Sequence, residues 1–116
     1  MKLCEIAKLL DARVLSGAEL LETNVDNVFC TDMMADVLAY ASSSTVLITR
    51  LLNLAVVRSS LLAEIYCVVF SDSKTPAPDL LALADAHDLV IMATEQSMFD
   101  ATELLLEAGL SDAAWV

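Results

Sequence analysis

Asp32 and Asp36 are candidate functional carboxylates of this chain, because side chains four residues apart share one face of a helix. Together with Thr31 they could bind a divalent cation and serve a small metal-dependent enzyme. Helix physics offers a simpler role. Asp32 can cap a helix that begins at Met33, and Asp36 then lies in the first turn, where the helix dipole favours negative charge. We expect the capping role and keep the metal site as the alternative.

The motifs of nucleophilic and nucleotide chemistry are absent from the sequence. Two glycines in 116 residues leave no Walker A loop, no GxGxxG fingerprint and no GxSxG elbow. The single histidine, His87, falls at the predicted end of a helix and has no recognisable nucleophile beside it. Cys4, Cys30 and Cys67 form no CxxC pair, which is typical of buried free thiols, with a redox or iron-sulphur accessory role as the alternative. We therefore predict a protein that is not an enzyme and has no cofactor and no metal.

Basic residues are scarce, which narrows the choice of a site for an anionic ligand. The chain has 17 acidic and 6 basic residues and a net charge of -11. This field repels nucleic acid and anionic lipid unless the cations are concentrated at one site. Between Arg13 and Lys74 the only cations are Arg50 and Arg58, so a phosphate ligand would use one of them. We expect each arginine to pair with a nearby carboxylate and keep the phosphate role as the alternative.

The apolar content indicates an interface as well as a core. Hydrophobic residues make up 58% of the chain, above the share usual in soluble proteins, which predicts a homodimer. No apolar run approaches the roughly 20 residues of a membrane span, and charges interrupt the amino-terminal segment where a signal peptide is apolar. We expect a cytoplasmic protein that binds neither membrane nor nucleic acid, with one domain over residues 1–116.

The hydrophobic pattern predicts short strands that alternate with helices. Apolar, β-rich runs predict strands at 13–15, 25–30, 45–49, 65–70 and 89–93. Helical spacing predicts helices at 2–10, 33–40, 53–64, 79–87 and 97–109, with N-caps at Asp32, Asn53 and Ser97 and a C-cap at Gly109. The order of these elements predicts an α/β fold, a three-layer sandwich with a mostly parallel central sheet.

Two predicted helices have apolar positions that we expect to face the core. For the helix at 33–40 these are Met33, Met34, Val37, Leu38 and Ala41. For the helix at 53–64 they are Leu54, Val57, Leu61 and Leu62.

Polar residues follow the predicted strands, at the edge where ligands bind in open parallel sheets. The strand ends carry Cys30-Thr31-Asp32, Thr49-Arg50, Ser71-Asp72 and Thr94-Glu95. This edge is the best physical candidate for a binding site.

Four segments together resemble the DRTGG domain, specifically its small stand-alone members. They are MKLCEIAKLLDARVLSG, CTDMMADVLAY, VLITRLLNLAVVRSS and TEQSMFDATELLLEAGL. The resemblance covers nearly the whole chain and implies an α/β module similar to the N-terminal domain of the HPr kinase/phosphorylase. Such modules occur between CBS domains in regulatory pyrophosphatases and help them dimerise, and stand-alone members resemble companions of iron-only hydrogenases and NADH-linked electron-transfer proteins. The family implies no catalytic activity.

The sequence departs from the family pattern at its glycines. They are reduced to Ser16-Gly17-Ala18, and Cys30 stands where a small, glycine-like residue is expected before Thr31-Asp32. The residues that fit the pattern, and that we predict to bind a ligand, are Thr31, Asp32, Asp36, Thr49, Asn53 and Thr94.

The leading hypothesis is a non-catalytic regulatory or assembly module. We expect it to dimerise, to bind a small anionic metabolite or nucleotide, and to accompany a hydrogenase-type redox enzyme or another metabolic enzyme. The alternatives are a small metal-dependent enzyme using Asp32 and Asp36, and a redox or iron-sulphur accessory protein using the cysteines.

Overall fold

The computed structural model describes residues 1–115 and side chains up to residue 114. Its strands are β1 (Arg13–Ser16), β2 (Asn27–Cys30), β3 (Thr45–Thr49), β4 (Cys67–Phe70), β5 (Val90–Ala93) and β6 (Ser111–Asp112). Its α-helices are α1 (Leu3–Leu9), α2 (Met34–Tyr40), α3 (Leu54–Leu62), α4 (Pro78–Ala86) and α5 (Met98–Glu107). Single turns of 3-10 helix cover Ala18–Leu20 and Ala113–Trp115.

The six strands form one sheet in the order β1-β5-β4-β3-β2-β6. The strands β2 to β5 pair in parallel, β6 joins β2 in parallel, and β1 pairs antiparallel with β5 at the opposite edge. Every residue of β3, β4 and β5 is buried, because helices cover both faces of the sheet. This explains why these segments are continuous apolar runs rather than alternating ones. The predicted α/β class with a mostly parallel central sheet is confirmed.

Two apolar clusters, one on each face of the sheet, make the three layers. On one face α1 and α5 contribute Leu3, Ile6, Leu10, Ala101 and Leu105. On the other face α2, α3 and α4 contribute Val37, Val56, Val57, Leu80 and Ala84. Successive residues of each strand feed opposite clusters, as the pleat requires.

Two of the three predicted N-caps are confirmed. Asn53 Oδ1 accepts a hydrogen bond from the Ala55 N–H at 2.9 Å, and Ser97 Oγ accepts one from the Asp100 N–H at 3.0 Å. The prediction for Asp32 is wrong, because Met33 occupies the N-cap position of α2 and makes no side-chain cap. Asp32 therefore lies outside the helix and does not share a helical face with Asp36.

The predicted buried faces of α2 and α3 are only partly right. Val37 and Val57 are buried, but Met33 is 64% exposed, Leu38 53% and Leu62 74%. Each helix presents one side to the sheet, so an apolar residue on the flank or at the end of a short helix stays largely exposed. These exposed side chains are the apolar surplus that the composition indicated.

Four helices end in the same Schellman geometry, although only one of them has a glycine there. After α5, Gly109 has φ 115° and the Leu110 N–H donates to Leu105 O at 3.1 Å, as predicted. The left-handed residues after α1, α3 and α4 are Asp11 (φ 48°), Glu64 (φ 63°) and Asp88 (φ 57°). The scarcity of glycine hid these three turns from sequence reasoning.

β6 was not predicted from the sequence. Its two residues are too few for a periodic signal, and the pairing with Asn27 and Val28 forms only once the turn after α5 returns the chain to the sheet. Among residues 1–115 there is no helix with the length and apolarity required to cross a membrane.

Candidate functional site at the carboxyl edge of the sheet

The parallel strands β2, β3, β4 and β5 end at one edge of the sheet, which we call the carboxyl edge. Their next residues are Thr31 and Asp32, Arg50 and Leu51, Ser71 and Asp72, and Thr94 and Glu95. The sheet order therefore brings together polar groups that are far apart in sequence, as in other parallel α/β proteins.

Asp32 links the ends of β2 and β3 through both carboxylate oxygens. Oδ1 accepts hydrogen bonds from the Thr49 hydroxyl at 2.9 Å and from the Arg50 backbone N–H at 2.8 Å. Oδ2 accepts from Arg50 Nε at 3.3 Å and Nη2 at 3.2 Å, which makes an ion pair. The expected role of Arg50, pairing with a carboxylate, is thus confirmed, whereas Arg58 makes no ion pair within the described residues.

The environment of Asp32 favours its ionised form. Partial burial acts to raise the pKa of this carboxyl group, but the hydrogen bonds from the Arg50 N–H, the Thr49 hydroxyl and the guanidinium outweigh it. The pKa of Asp32 is therefore lower than the ordinary value for an aspartate. At neutral pH the group is a charged structural acceptor whose lone pairs are largely occupied.

The other predicted site residues on β2 and α2 have separate roles. Thr31 is half-buried, and its Oγ1 accepts a hydrogen bond from the Met33 N–H at 2.9 Å, which shapes the turn into α2. Asp36 is exposed in the first turn of α2. Asp32 and Thr49 are thus in direct contact, whereas Asp36 lies on the helix rather than at the carboxyl edge.

The remaining three predicted binding residues lie at separate places along the edge, namely Thr49, Asn53 and Thr94. Thr49 is buried beside Asp32, and Asn53 is exposed at the start of α3. Thr94 is buried, and its hydroxyl donates to the Leu10 carbonyl at 2.7 Å. Because β3 and β5 are separated by β4, Thr49 and Thr94 are roughly 10 Å apart at ordinary strand spacing. The six predicted residues therefore do not converge on one small ligand, and their role in binding stays a prediction.

Three concavities open along this edge, and each contains an arginine. The Arg13 pocket, about 360 Å³, is lined by Leu10, Asp11, Arg13, Ser73, Ala93, Thr94, Glu95 and Gln96. The Arg58 pocket, about 520 Å³, is lined by Leu52, Asn53, Leu54, Ala55, Arg58, Ala77, Asp79 and Leu80. The Arg50 pocket, about 250 Å³, is lined by Asp32, Arg50, Leu51 and Lys74.

Lys74 reaches the edge through a strained turn after β4. Asp72 and Ser73 both have left-handed backbones, with φ of 59° and 58°, and the Lys74 N–H donates to the Ser71 carbonyl at 3.1 Å. Asp72 Oδ2 also accepts hydrogen bonds from the Ser71 hydroxyl at 2.7 Å and from the Met98 N–H at 3.3 Å. The turn is thus held against the start of α5, which fixes the position of the Lys74 backbone.

The metal and redox alternatives gain no support from the described side chains. Within residues 1–114, no group of three or more His, Cys, Asp or Glu side chains is arranged to hold a metal ion. Burial raises the pKa of the Cys30 thiol, and burial in β4 raises that of Cys67 still further. Both changes favour the less reactive thiol form.

Sequence reasoning left Arg13 and Lys74 out of the predicted site. Each is an isolated basic residue in a segment without a binding motif. A usable signal did exist for Lys74, because a polar loop directly follows a buried strand of a parallel sheet. Arg13 gave no such signal, since β1 runs antiparallel and only its first residue reaches this edge.

The fold and its edge define a class, the three-layer α/β modules whose polar groups collect at the carboxyl ends of a parallel sheet. Comparison with protein-family models identifies the family within this class, because the model of the DRTGG domain matches residues 5–108. The chain belongs to the DRTGG domain family, which confirms the resemblance found in the sequence.

A solved structure shares the fold. It contains the CBS and DRTGG domains of the regulatory region of Clostridium perfringens pyrophosphatase, complexed with the activator diadenosine tetraphosphate. The TM-score is 0.78 at 16% sequence identity, over 96% of this chain and 48% of the other. This chain therefore spans about half the length of that regulatory region. A comparison with curated protein sequences finds no significant match.

Proposed function

We propose that this DRTGG module is a non-catalytic regulatory subunit that binds a small anionic metabolite, such as a nucleotide, at the carboxyl edge. One observation carries the proposal. Four of the six basic residues line the pockets of this edge, namely Arg13, Arg50, Arg58 and Lys74. The other two, Lys2 and Lys8, lie at α1.

The placement of these cations matters because the net charge is -11. The surrounding field repels an anion from most of the surface, so a binding site requires a local excess of positive groups. Arginine is well suited to this task, since its planar guanidinium donates paired hydrogen bonds to phosphate. The carboxyl edge is also where parallel α/β sheets commonly bind ligands.

Adenine nucleotides are the first ligands to test, because the related pyrophosphatase region was solved with diadenosine tetraphosphate. We expect ATP to raise the thermal midpoint of the protein and uncharged adenosine to raise it much less. Saturation at about 100 times Kd would add about 2.7 kcal/mol to the free energy of unfolding. A screen in which no nucleotide, diadenosine tetraphosphate included, changes the midpoint would contradict the nucleotide proposal.

We also propose that the module forms a homodimer through the layer of α2 and α3. This layer exposes Met33, Leu38 and Leu62, and α2 carries a single charged residue, Asp36. On the opposite layer α5 exposes Phe99, but Asp100, Glu103 and Glu107 lie on the same helix. The electrostatic repulsion between two copies of this acidic protein is therefore weaker when they meet through the α2 and α3 layer than when they meet through α5.

Light scattering tests this arrangement directly. We expect a mass twice the 12.5 kDa of the chain at micromolar concentration. Leu38→Glu and Leu62→Glu should dissociate the dimer, since each places a charge in the apolar contact, and Phe99→Glu is the matched control on α5. A monomeric wild type would remove the dimer proposal, and dissociation by Phe99→Glu alone would move the interface to α5.

The family resemblance supports an enzyme partner, of the hydrogenase type or another metabolic enzyme. In this arrangement the module changes the activity of its partner according to the ligand bound at the carboxyl edge. Adding the purified module, with and without ATP, to the purified candidate enzyme measures the effect on its rate. Equal rates with and without the module would contradict that pairing.

A further inference from the structure

Of five pockets compared within the described residues, the Arg50 pocket alone has a net positive lining. It contains the charged groups Asp32, Arg50 and Lys74. The Arg13 pocket places Asp11 and Glu95 around one arginine, and the Arg58 pocket balances its arginine with Asp79. Two further hollows contain acidic residues and no basic ones. Of these five pockets, the one between Arg50 and Lys74 therefore offers an anion the most favourable local potential.

Arg50 is oriented before any ligand arrives. Its Nε and Nη2 donate to Asp32 Oδ2, and its backbone N–H donates to Asp32 Oδ1. A guanidinium has five N–H donors, so Nη1 and the second Nη2 hydrogen remain for another acceptor. The side chain is 53% exposed, so these donors are accessible to a ligand. Preorganisation of this kind lowers the entropy lost when an anion binds.

Lys74 supplies the second cation. The turn described above fixes its backbone, whereas its side chain is exposed and makes no ion pair within the described residues. An ammonium on a flexible stem can reach an anion that Arg50 already holds. The single carboxylate of the pocket, Asp32, pairs with Arg50, so the charge of Lys74 is left without a partner.

We propose that Arg50 and Lys74 bind a phosphoryl or diphosphoryl group, with Arg50 as an oriented donor of paired hydrogen bonds and Lys74 as a mobile point charge. The inference rests on the proposed function and names the part of the ligand that this pocket recognises. A phosphoryl group fits this pocket better than a carboxylate does, because its three oxygens can accept hydrogen bonds from the free guanidinium N–H groups and from the ammonium at the same time. The volume of about 250 Å³ is below the roughly 300–1,000 Å³ of sites for whole drug-sized ligands. The pocket thus holds the charged end of a larger molecule.

Calorimetric titration with inorganic pyrophosphate tests the pocket without a nucleoside. We expect Lys74→Gln to weaken binding about tenfold, the loss of roughly 1.4 kcal/mol that one charge-assisted contact provides. Lys8→Gln removes the same charge from α1, outside the pockets of the edge, and should change Kd less than about twofold, a shift of the size that general screening permits. Lys74→Arg should retain binding.

Lys74→Gln is the main variant because the Lys74 side chain is exposed and makes no ion pair within the described residues. A thermal midpoint equal to that of the wild type without ligand would verify that the variant folds normally. Arg50→Gln is the second variant. Its Kd for pyrophosphate is interpreted only after its thermal midpoint has been measured. Equal weakening by Lys74→Gln and Lys8→Gln would overturn the proposal, since it would show a general attraction to the cations of the protein rather than binding in this pocket. Absence of pyrophosphate binding by the wild type would overturn it as well. If ATP binds and Lys74→Gln has no effect on that binding, the pocket assignment fails while the proposed function stands.

Discussion

Asp32 and Arg50 are joined by three hydrogen bonds, at 2.8 Å from the backbone N–H, 3.3 Å from Nε and 3.2 Å from Nη2. The contact connects the ends of two adjacent parallel strands and orients the guanidinium toward the carboxyl edge. Asp32, which the sequence predicted to cap α2, therefore links β2 to β3.

Removing this link should destabilise the fold. Asp32→Ala leaves the buried Thr49 hydroxyl and the Arg50 N–H without their acceptor, which costs about 1–3 kcal/mol of unfolding free energy. Urea denaturation measures the loss. Asp36→Ala is the matched control, because that side chain is exposed in the first turn of α2 and should cost only about 0.5 kcal/mol. Equal losses for the two variants would contradict the assigned role of Asp32.

The same carboxylate predicts a pH dependence. Because the pKa of Asp32 is lowered in the folded state, its stabilising effect is complete above the unfolded value of about 3.9 and is lost as pH falls through the folded value. We therefore expect the stability difference between wild type and Asp32→Asn to be constant from about pH 7 to pH 5 and to shrink below about pH 4. Comparing the two proteins cancels the titration of the other acidic groups. A difference that grows on acidification would contradict this prediction.

Gly17 is a position where a side chain does not fit. A Cβ there would lie 2.8 Å from Val90 Cγ2 and 3.1 Å from Val90 Cα, and the backbone has φ 75°. Gly17→Ala should lower the free energy of unfolding by about 2–4 kcal/mol, from left-handed strain and overpacking against β5. Gly109→Ala has a positive φ but nothing within 4 Å, so about 1–2 kcal/mol is expected. Denaturant unfolding of both variants separates the two effects, and equal losses would show that the Val90 contact is unimportant.

Left-handed residues at helix ends offer sites for stabilisation. Glu64 has φ 63° after α3, a conformation that costs a glutamate about 1–2 kcal/mol and a glycine almost nothing. After the backbone entropy of glycine is included, Glu64→Gly should raise the free energy of unfolding by about 0.5–1 kcal/mol. Glu103→Gly, the same substitution at an exposed position inside α5, should lower it by about 0.5–1 kcal/mol. Thermal unfolding compares the two, and a loss at Glu64 would contradict the strain argument.

The features that could be predicted from the sequence alone arise from local interactions. The buried strands β3, β4 and β5 are apolar runs because both faces of a parallel sheet are covered. The caps at Asn53 and Ser97 need only a backbone N–H two or three residues away. Such features depend on neighbours in the chain, so pattern and residue type were sufficient to predict them and the fold class.

The contacts of Asp32, the exposure of Leu38 and the composition of the pockets could not be predicted, because they depend on residues that are distant in sequence. The pattern around Asp32 is that of a helix cap, yet Thr49 and Arg50, 17 and 18 residues away, supply the hydrogen bonds that hold it. The exposure of Leu38 depends on which side of α2 meets the sheet. Arg50 and Lys74 share a pocket because the strands before them, β3 and β4, are neighbours. Composition revealed a shortage of cations, and only the order of the strands brought two of them to one place.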